Sequence, residues 1–252
     1  MARRLQTTAL SFQIINHLKE QNGATMPEIS NELEMATSSV HAHLKTLEDE
    51  GVVTKEGNEY NLGLLFFTYG EYVKSRKQEY TPAKEAVKRM WDISGESATF
   101  CVPENNRIYL LFGEGVPEDP VYKIGNRYPM HYTAVGKAIM ADLPDERVAG
   151  IIETSGLPPQ TENTITDEGY LYEELEIIRS RGYSLNKEEL IPGLNSAAMT
   201  VSHPDGSVFG AISIGGPSYR VKGERLTTEI PEILQQTKRD LERELTRIYE
   251  SS

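Results

Sequence analysis

Apolar residues recur at helical spacing from residue 7 to 20, where Leu10, Ile14, Ile15 and Leu18 share one stripe before Asn22-Gly23 breaks the pattern. Thr7 or Thr8 is placed to cap this helix. Thr25 and Glu28 have the spacing of a capping box, with Pro27 tolerated in the first turn, and open a short helix that buries Ile29 and Leu33. After Met35-Ala36, Thr37 or Ser38 caps a third helix with Val40, Leu44 and Leu47 inward and Gly51 at its end. The period then changes. Residues 51–62, GVVTKEGNEYNL, hold two extended runs about Gly57-Asn58 and predict a β-hairpin. Helix, short helix, tight turn, helix and hairpin is the order of a winged helix-turn-helix, whose third helix lies in a DNA major groove. A small helical domain that docks on protein has the same order.

Residues 62–78 are apolar and aromatic first and charged afterwards, as in a helix that leaves one domain and becomes a connector. Thr81-Pro82 starts the next helix, with Val87, Met90 and Trp91 inward and Gly95 as its stop. Strand-like runs follow at 97–102, 107–112 and 121–124, then helices near 135–153 and 167–181. Two strands, 197–203 and 207–214, are joined by the turn signal Pro204-Asp205-Gly206. The last helix, 228–249, carries Ile230, Ile233, Leu234, Leu241, Leu245 and Ile248 on one face. Runs of strands with helices on one side predict an α+β sensor-type domain. The expected division is 1–64 for the winged helix-turn-helix, 65–80 for a linker helix and 81–252 for the second domain.

Composition narrows this picture. A chain of 252 residues, 38% hydrophobic and 25% charged, suits two packed domains. No apolar run approaches the ~18 residues of a membrane span, and the opening MARRLQTTALSF lacks a cleavable apolar leader, so a cytoplasmic protein with no membrane partner is expected. The single cysteine, Cys101, forms no internal disulfide, and histidines at 17, 41, 43, 131 and 203 have no zinc-ligand spacing, so neither metal nor cofactor is expected.

The net charge of −12 speaks against a nucleic-acid partner, and residues 1–76 alone carry 7 basic and 10 acidic side chains. Charge can nonetheless be local. Outside its core stripe the third helix shows Ser38, Ser39, His41, Ala42, Lys45 and Thr46, a small, slightly basic face, with Glu48, Asp49 and Glu50 at the far end. Arg3 and Arg4, together with Lys55 in the hairpin, are the expected phosphate contacts, and Asn58 sits on the wing. Acidity in both halves also suggests a salty interior, where the screening length is ~3 Å at 1 M.

Catalytic signals are weak. TAVGKA at 133–138 lacks the first glycine of a phosphate loop and has Ala138 where a hydroxyl would hold magnesium, although a helix start there favours an anion such as a carboxylate. Gly215-Gly216-Pro217 after a strand allows close backbone approach to a ligand. Ser196 lacks the G-x-S-x-G frame, and Cys101 reads as a small buried hydrophobe. His41 and His43 do not share a helix face. With no catalytic constellation, an enzyme is not expected. A small-molecule hydrolase or isomerase with an accessory helical domain remains the alternative, and a sensor acting through protein contacts a second one.

Four stretches together carry a resemblance over nearly the whole chain: LKTLEDEGVV at 44–53, HYTAVGKAIMADLP at 131–144, RGYSLNKEELIPGLNSAAM at 181–199 and GSVFGAISIGGPSYR at 206–220. In these the chain resembles the IclR family of transcription regulators. The resemblance implies a DNA-binding domain, a linker helix and a GAF-like α/β sandwich that binds a small-molecule effector, often a catabolic intermediate, in a homodimer or dimer of dimers on double-stranded operator DNA. It places the effector pocket on Ala134, Val135 and Gly136, on Asn186 and Ser196, and on Ser213 and Gly215. Two departures stand out: family members often have an acidic residue or a cysteine where this chain has Asn186 and Ser196, and an aromatic followed by arginine where it has His41 and Ala42.

Overall fold

In the computed structural model, which describes residues 5–119 and 121–251, the chain divides into two compact units between Arg76 and Lys77. The amino-terminal unit is built from α1 (Gln6–Gln21), β1 (Ala24–Thr25), α2 (Met26–Glu32), α3 (Thr37–Asp49), β2 (Val53–Glu56), β3 (Glu59–Leu62) and α4 (Leu65–Ser75). The helical stripes meet as the periodicity requires: Ile14, Leu18, Ile29, Val40, Leu44 and Leu47 close one core with Val53 and Tyr60 of the hairpin. At ~25 cal/mol per Å² of apolar surface removed from water, these contacts rather than intrinsic propensity hold such short helices.

Glu28 accepts from both the Thr25 N–H and the Thr25 hydroxyl at 2.7 Å, and so fixes the start of α2. The other expected caps differ. Leu5 and Ala36 occupy the N-cap positions of α1 and α3, while Thr7, Thr8, Thr37 and Ser38 lie inside the helices. The hairpin turns at Gly57, whose φ of +63° suits the first position of a type II′-like loop. β1 adds a short third strand against β3, with Ala24 opposite Tyr60, which two residues could not signal in the sequence.

The second unit runs α5 (Tyr80–Ser94), β4 (Ser97–Glu104), β5 (Arg107–Glu114), β6 (Arg127–Pro129), α6 (Ala134–Ala141), α7 (Asp145–Ser155), α8 (Glu168–Arg181), β7 (Ser184–Lys187), β8 (Leu194–Ser202), β9 (Val208–Pro217) and α9 (Ile230–Glu250). Its antiparallel sheet has the order β6-β5-β4-β9-β8-β7. Helices cover both faces, not one as expected. Phe100, Met199, Ile212 and Ile214 pack with Val87 and Met90 of α5 and Leu234, Leu241 and Leu245 of α9. Cys101, Leu110, Ala198 and Ala211 meet α6, α7 and α8 on the other side. Strict alternation along β4 sends Phe100 to one core and Cys101 to the other.

Further corrections follow from packing. Trp91 is 39% exposed and lies over Gly115 rather than inward. Residues 121–124 form no strand; the edge strand is β6. The helix expected at 135–153 is two, separated at Asp142-Leu143-Pro144, with Pro144 as the N-cap of α7. A π-helical turn, Arg225–Glu229, leads into α9. Among the described residues no helix is long and apolar enough to cross a membrane, and no His, Cys, Asp and Glu group of three or more is placed to hold a metal.

Candidate functional site

On α3 the core stripe points one way and leaves Ser38, His41, Ala42, Lys45 and Thr46 exposed on the other, with Ser39 half-buried at the flank. His43 turns back toward the unit, where its Nδ1 lies 2.8 Å from the Ser11 hydroxyl. Lys45 is not idle: its ammonium sits 2.7 Å from Asp49 and 3.9 Å from Glu48, and the Asp49 hydrogen bond raises its pKa. The acids at the far end of the helix therefore hold the one cation of this face. A phosphate that recruits Lys45 has to compete with Asp49, an exposed pair worth little in water. In the hairpin Lys55 and Asn58 are exposed, and the Lys55 ammonium lies 5.1 Å from the centre of the Tyr60 ring. Arg3 and Arg4 lie outside the described residues.

In the second unit, α6 covers a small enclosed cavity against the sheet. Five of the seven expected pocket residues line it: Ala134, Val135, Asn186, Ser196 and Ser213. Thr99, Cys101, Tyr122, Tyr128 and Thr133 complete its polar lining. Their positions follow from the sheet register, because Ser213 pairs with both Thr99 and Ala198, and Ser196 pairs with Asn186. Nothing periodic in the sequence marks Thr99 or Tyr122 as partners of residues a hundred positions away.

Gly136 and Gly215 do not line the cavity but make it possible. A Cβ on Gly215 would meet the Ser196 Cβ at 2.7 Å across the strand pair, and one on Gly136 would meet the Met130 Cα at 2.5 Å. Thr133 caps α6 by accepting from the Gly136 N–H at 3.0 Å. Asn186 is used at both ends: its amide donates to the Tyr132 carbonyl at 2.6 Å and accepts from the Glu189 N–H at 3.2 Å. Behind α6, Lys137 is buried and donates to both carboxylate oxygens of Glu189, at 2.6 and 2.7 Å.

No charged side chain lines this cavity. Burial pushes the Cys101 thiol and the Tyr128 phenol each up to about 12, and raises Tyr122 further. All three stay neutral near pH 7, so Cys101 is no thiolate nucleophile. His131, at the entry to α6, donates from Nε2 to the Pro158 carbonyl at 3.0 Å, and burial lowers its pKa. What the lining offers is hydroxyls and an amide for hydrogen bonding. The volume is about 20 Å³, room for one water, so a larger guest requires the walls to part.

Residues 78–243 match the family model described as the bacterial transcriptional regulator IclR C-terminal domain, and residues 8–54 match a winged helix-turn-helix DNA-binding model. The transcriptional repressor AllR of Escherichia coli K12 is 29% identical over 242 residues, which cover 94% of this chain and 89% of AllR. The solved IclR structure from Thermotoga maritima superposes with a TM-score of 0.76 at 25% identity, covering 96% of this chain and 99% of that one. The inducer-binding domain of the Acinetobacter transcription factor PobR, solved as a double mutant with 3-hydroxybenzoic acid, matches 64% of this chain and 95% of its own length, with a TM-score of 0.59 and 25% identity.

Proposed function

The chain belongs to the IclR family of bacterial transcription regulators, and from that premise we propose that α3 enters the operator's major groove while a small molecule in the α6 cavity sets how firmly it stays. It is a DNA-binding transcription regulator with an effector-binding domain, not an enzyme. The observation that carries the DNA reading is the α3 face itself: Ser38, His41 and Ala42 are exposed, small or polar, and free of carboxylates over its first turns. Ser39 flanks that face. Lys45 and Lys55 supply phosphate contacts together with Arg3 and Arg4, and Asn58 lies on the wing.

A homodimer, or a dimer of dimers, presents two such helices to successive major grooves. Exposed apolar side chains at Leu64, Phe67, Tyr69, Tyr72 and Val73 support a second copy covering this stretch. The name repressor borne by AllR supports repression as the output. The aromatic acid in the PobR complex supports an organic catabolic intermediate as the effector, bound among Ala134, Val135, Asn186, Ser196 and Ser213, with Gly136 and Gly215 shaping the site. A cytoplasmic location fits this role. To act, the effector must bind one dimer arrangement better than another, and a coupling of ~1 to 3 kcal/mol changes occupancy ~5- to 150-fold.

Lys45→Ala is expected to weaken binding to every DNA sequence and to reduce the salt slope by about one. Gel shifts on the protein's own upstream DNA over a potassium chloride series measure both, and an unchanged slope would remove α3 as the contact face. The same series tests the acidity: binding that collapses well below molar salt rules out adaptation to a salty interior. For the cavity, Ser196→Ala and Ser213→Ala are expected to abolish the effector response while leaving effector-free DNA affinity within about twofold. A full response in both variants would move the effector elsewhere.

A further inference from the structure

The outer side of α6 carries a second and larger pocket, of about 320 Å³, lined by Lys137, Asn163, Glu174, Arg181, Lys187 and Glu189. Three cations here face two carboxylates, a local surplus of one positive charge in a chain of net charge −12. Their pairing is uneven. Lys137 and Glu189 are fully engaged with each other. Glu174 is 4.0 Å from Lys137 and 3.7 Å from Arg181, beyond hydrogen-bonding distance from either. Arg181 donates its Nε to the Tyr183 carbonyl at 2.9 Å and stacks 4.6 Å from the Tyr183 ring centre, yet its buried Nη2 has no hydrogen-bond acceptor among the described residues, only the Glu174 carboxylate as an ion-pair partner. Lys187 is exposed, and its ammonium has no hydrogen bond or ion pair among the described residues.

The Glu174 ion pair offsets part of the charge of the Arg181 guanidinium but does not saturate its buried Nη2 donor, and a ligand oxygen at hydrogen-bond distance completes it. We propose that this pocket is a second ligand site, separate from the effector cavity, for a small anion whose carboxylate or phosphate oxygens lie between Arg181 and Lys187, with the Lys137–Glu189 pair as its floor. The two cavities share a wall. Asn186 and Leu190 face the inner cavity, whereas Lys187 and Glu189 face the outer pocket. An anion outside and an effector inside therefore bear on the same five-residue strap, 186–190, and any influence of one on the affinity of the other is reciprocal.

The test titrates the full-length protein with inorganic phosphate and, separately, with acetate, by calorimetry and thermal melting, at an ionic strength held constant with potassium chloride. Saturable binding of at least one anion is expected, with a rise in Tm of about 3 to 6 °C at ten times Kd. Phosphate alone would assign the site to phosphorylated ligands, and acetate alone to carboxylates. Lys187→Gln is expected to weaken binding at least tenfold and to leave the anion-free Tm unchanged, since its ammonium makes no bond. Lys222→Gln, an exposed site elsewhere, serves as the control and binds as the parent does. The proposal falls if neither anion exceeds chloride, or if Lys187→Gln binds like the parent. Either result leaves the DNA gel shift, and with it the regulator assignment, untouched.

Discussion

Gly136→Ala is expected to destabilise the effector-binding unit by about 3 kcal/mol or more, against the direction that helix propensity alone would give. In the interior of an exposed helix the same change adds ~1 kcal/mol of stability, because alanine loses less backbone freedom than glycine. Here the new methyl would meet the Met130 carbonyl oxygen, the Met130 Cα at 2.5 Å and the Thr133 Oγ1 at 2.6 Å. Two of those atoms belong to the backbone and cannot rotate away, so α6 must lift from the 130–133 turn and open the cavity beneath it. Gly150→Ala on α7 is the matched control: its Cβ meets only the Arg147 Nη1, at 3.9 Å, and a gain of ~0.5 to 1 kcal/mol is expected. Thermal melts of the two variants should move in opposite directions, Gly136→Ala by about 6 to 12 °C downward. Equal shifts would show that α6 does not dock as closely as described.

Lys137→Met, the second large effect, strands the buried Glu189 carboxylate and is expected to cost about 3 to 5 kcal/mol. Lys137 is 1% exposed and Glu189 6%, so water is a poor substitute for either partner. The pair itself is not expected to contribute much net stability, because desolvating two charges offsets most of their attraction. Lys137→Met combined with Glu189→Leu is therefore expected to recover most of the loss. Urea unfolding of both single variants and the double variant measures this. A double variant no better than the worse single one would mean that the ion pair holds strap 186–190 in a way no apolar contact replaces.

The parts of the fold legible in the sequence were those set by burial. The stripes Ile14/Leu18, Val40/Leu44/Leu47 and Leu241/Leu245 each need an apolar partner surface, and that need shows in the period. Helix ends were less legible because several residues in a row can cap: Thr37 and Ser38 are good N-caps in isolation, but the tight turn before α3 delivers Ala36 to that position. VYKI has strand composition but joins no strand ladder among the described residues, since Arg127–Pro129 takes the edge beside β5. In the candidate site, Asn186, Ser196 and Ser213 line one cavity, whereas Gly136 and Gly215 sit in close packing contacts beside it. The cavity wall from β4, Thr99 and Cys101, carries no local signal because it faces α6 only through sheet register. The capture of Lys45 by Asp49 was hidden for a related reason: the two are four apart on one helix face, but nothing in the sequence decides whether the acid points along the helix or away.

Both rims of the six-stranded sheet are blunt. On one side β6 is three residues long and ends in Pro129, which has no N–H to offer; on the other, β7 stops after four residues where Glu188 adopts a φ of +62°. Neither border presents the long, flat template that recruits foreign strands, which disfavours edge-to-edge association and strand exchange at this sheet.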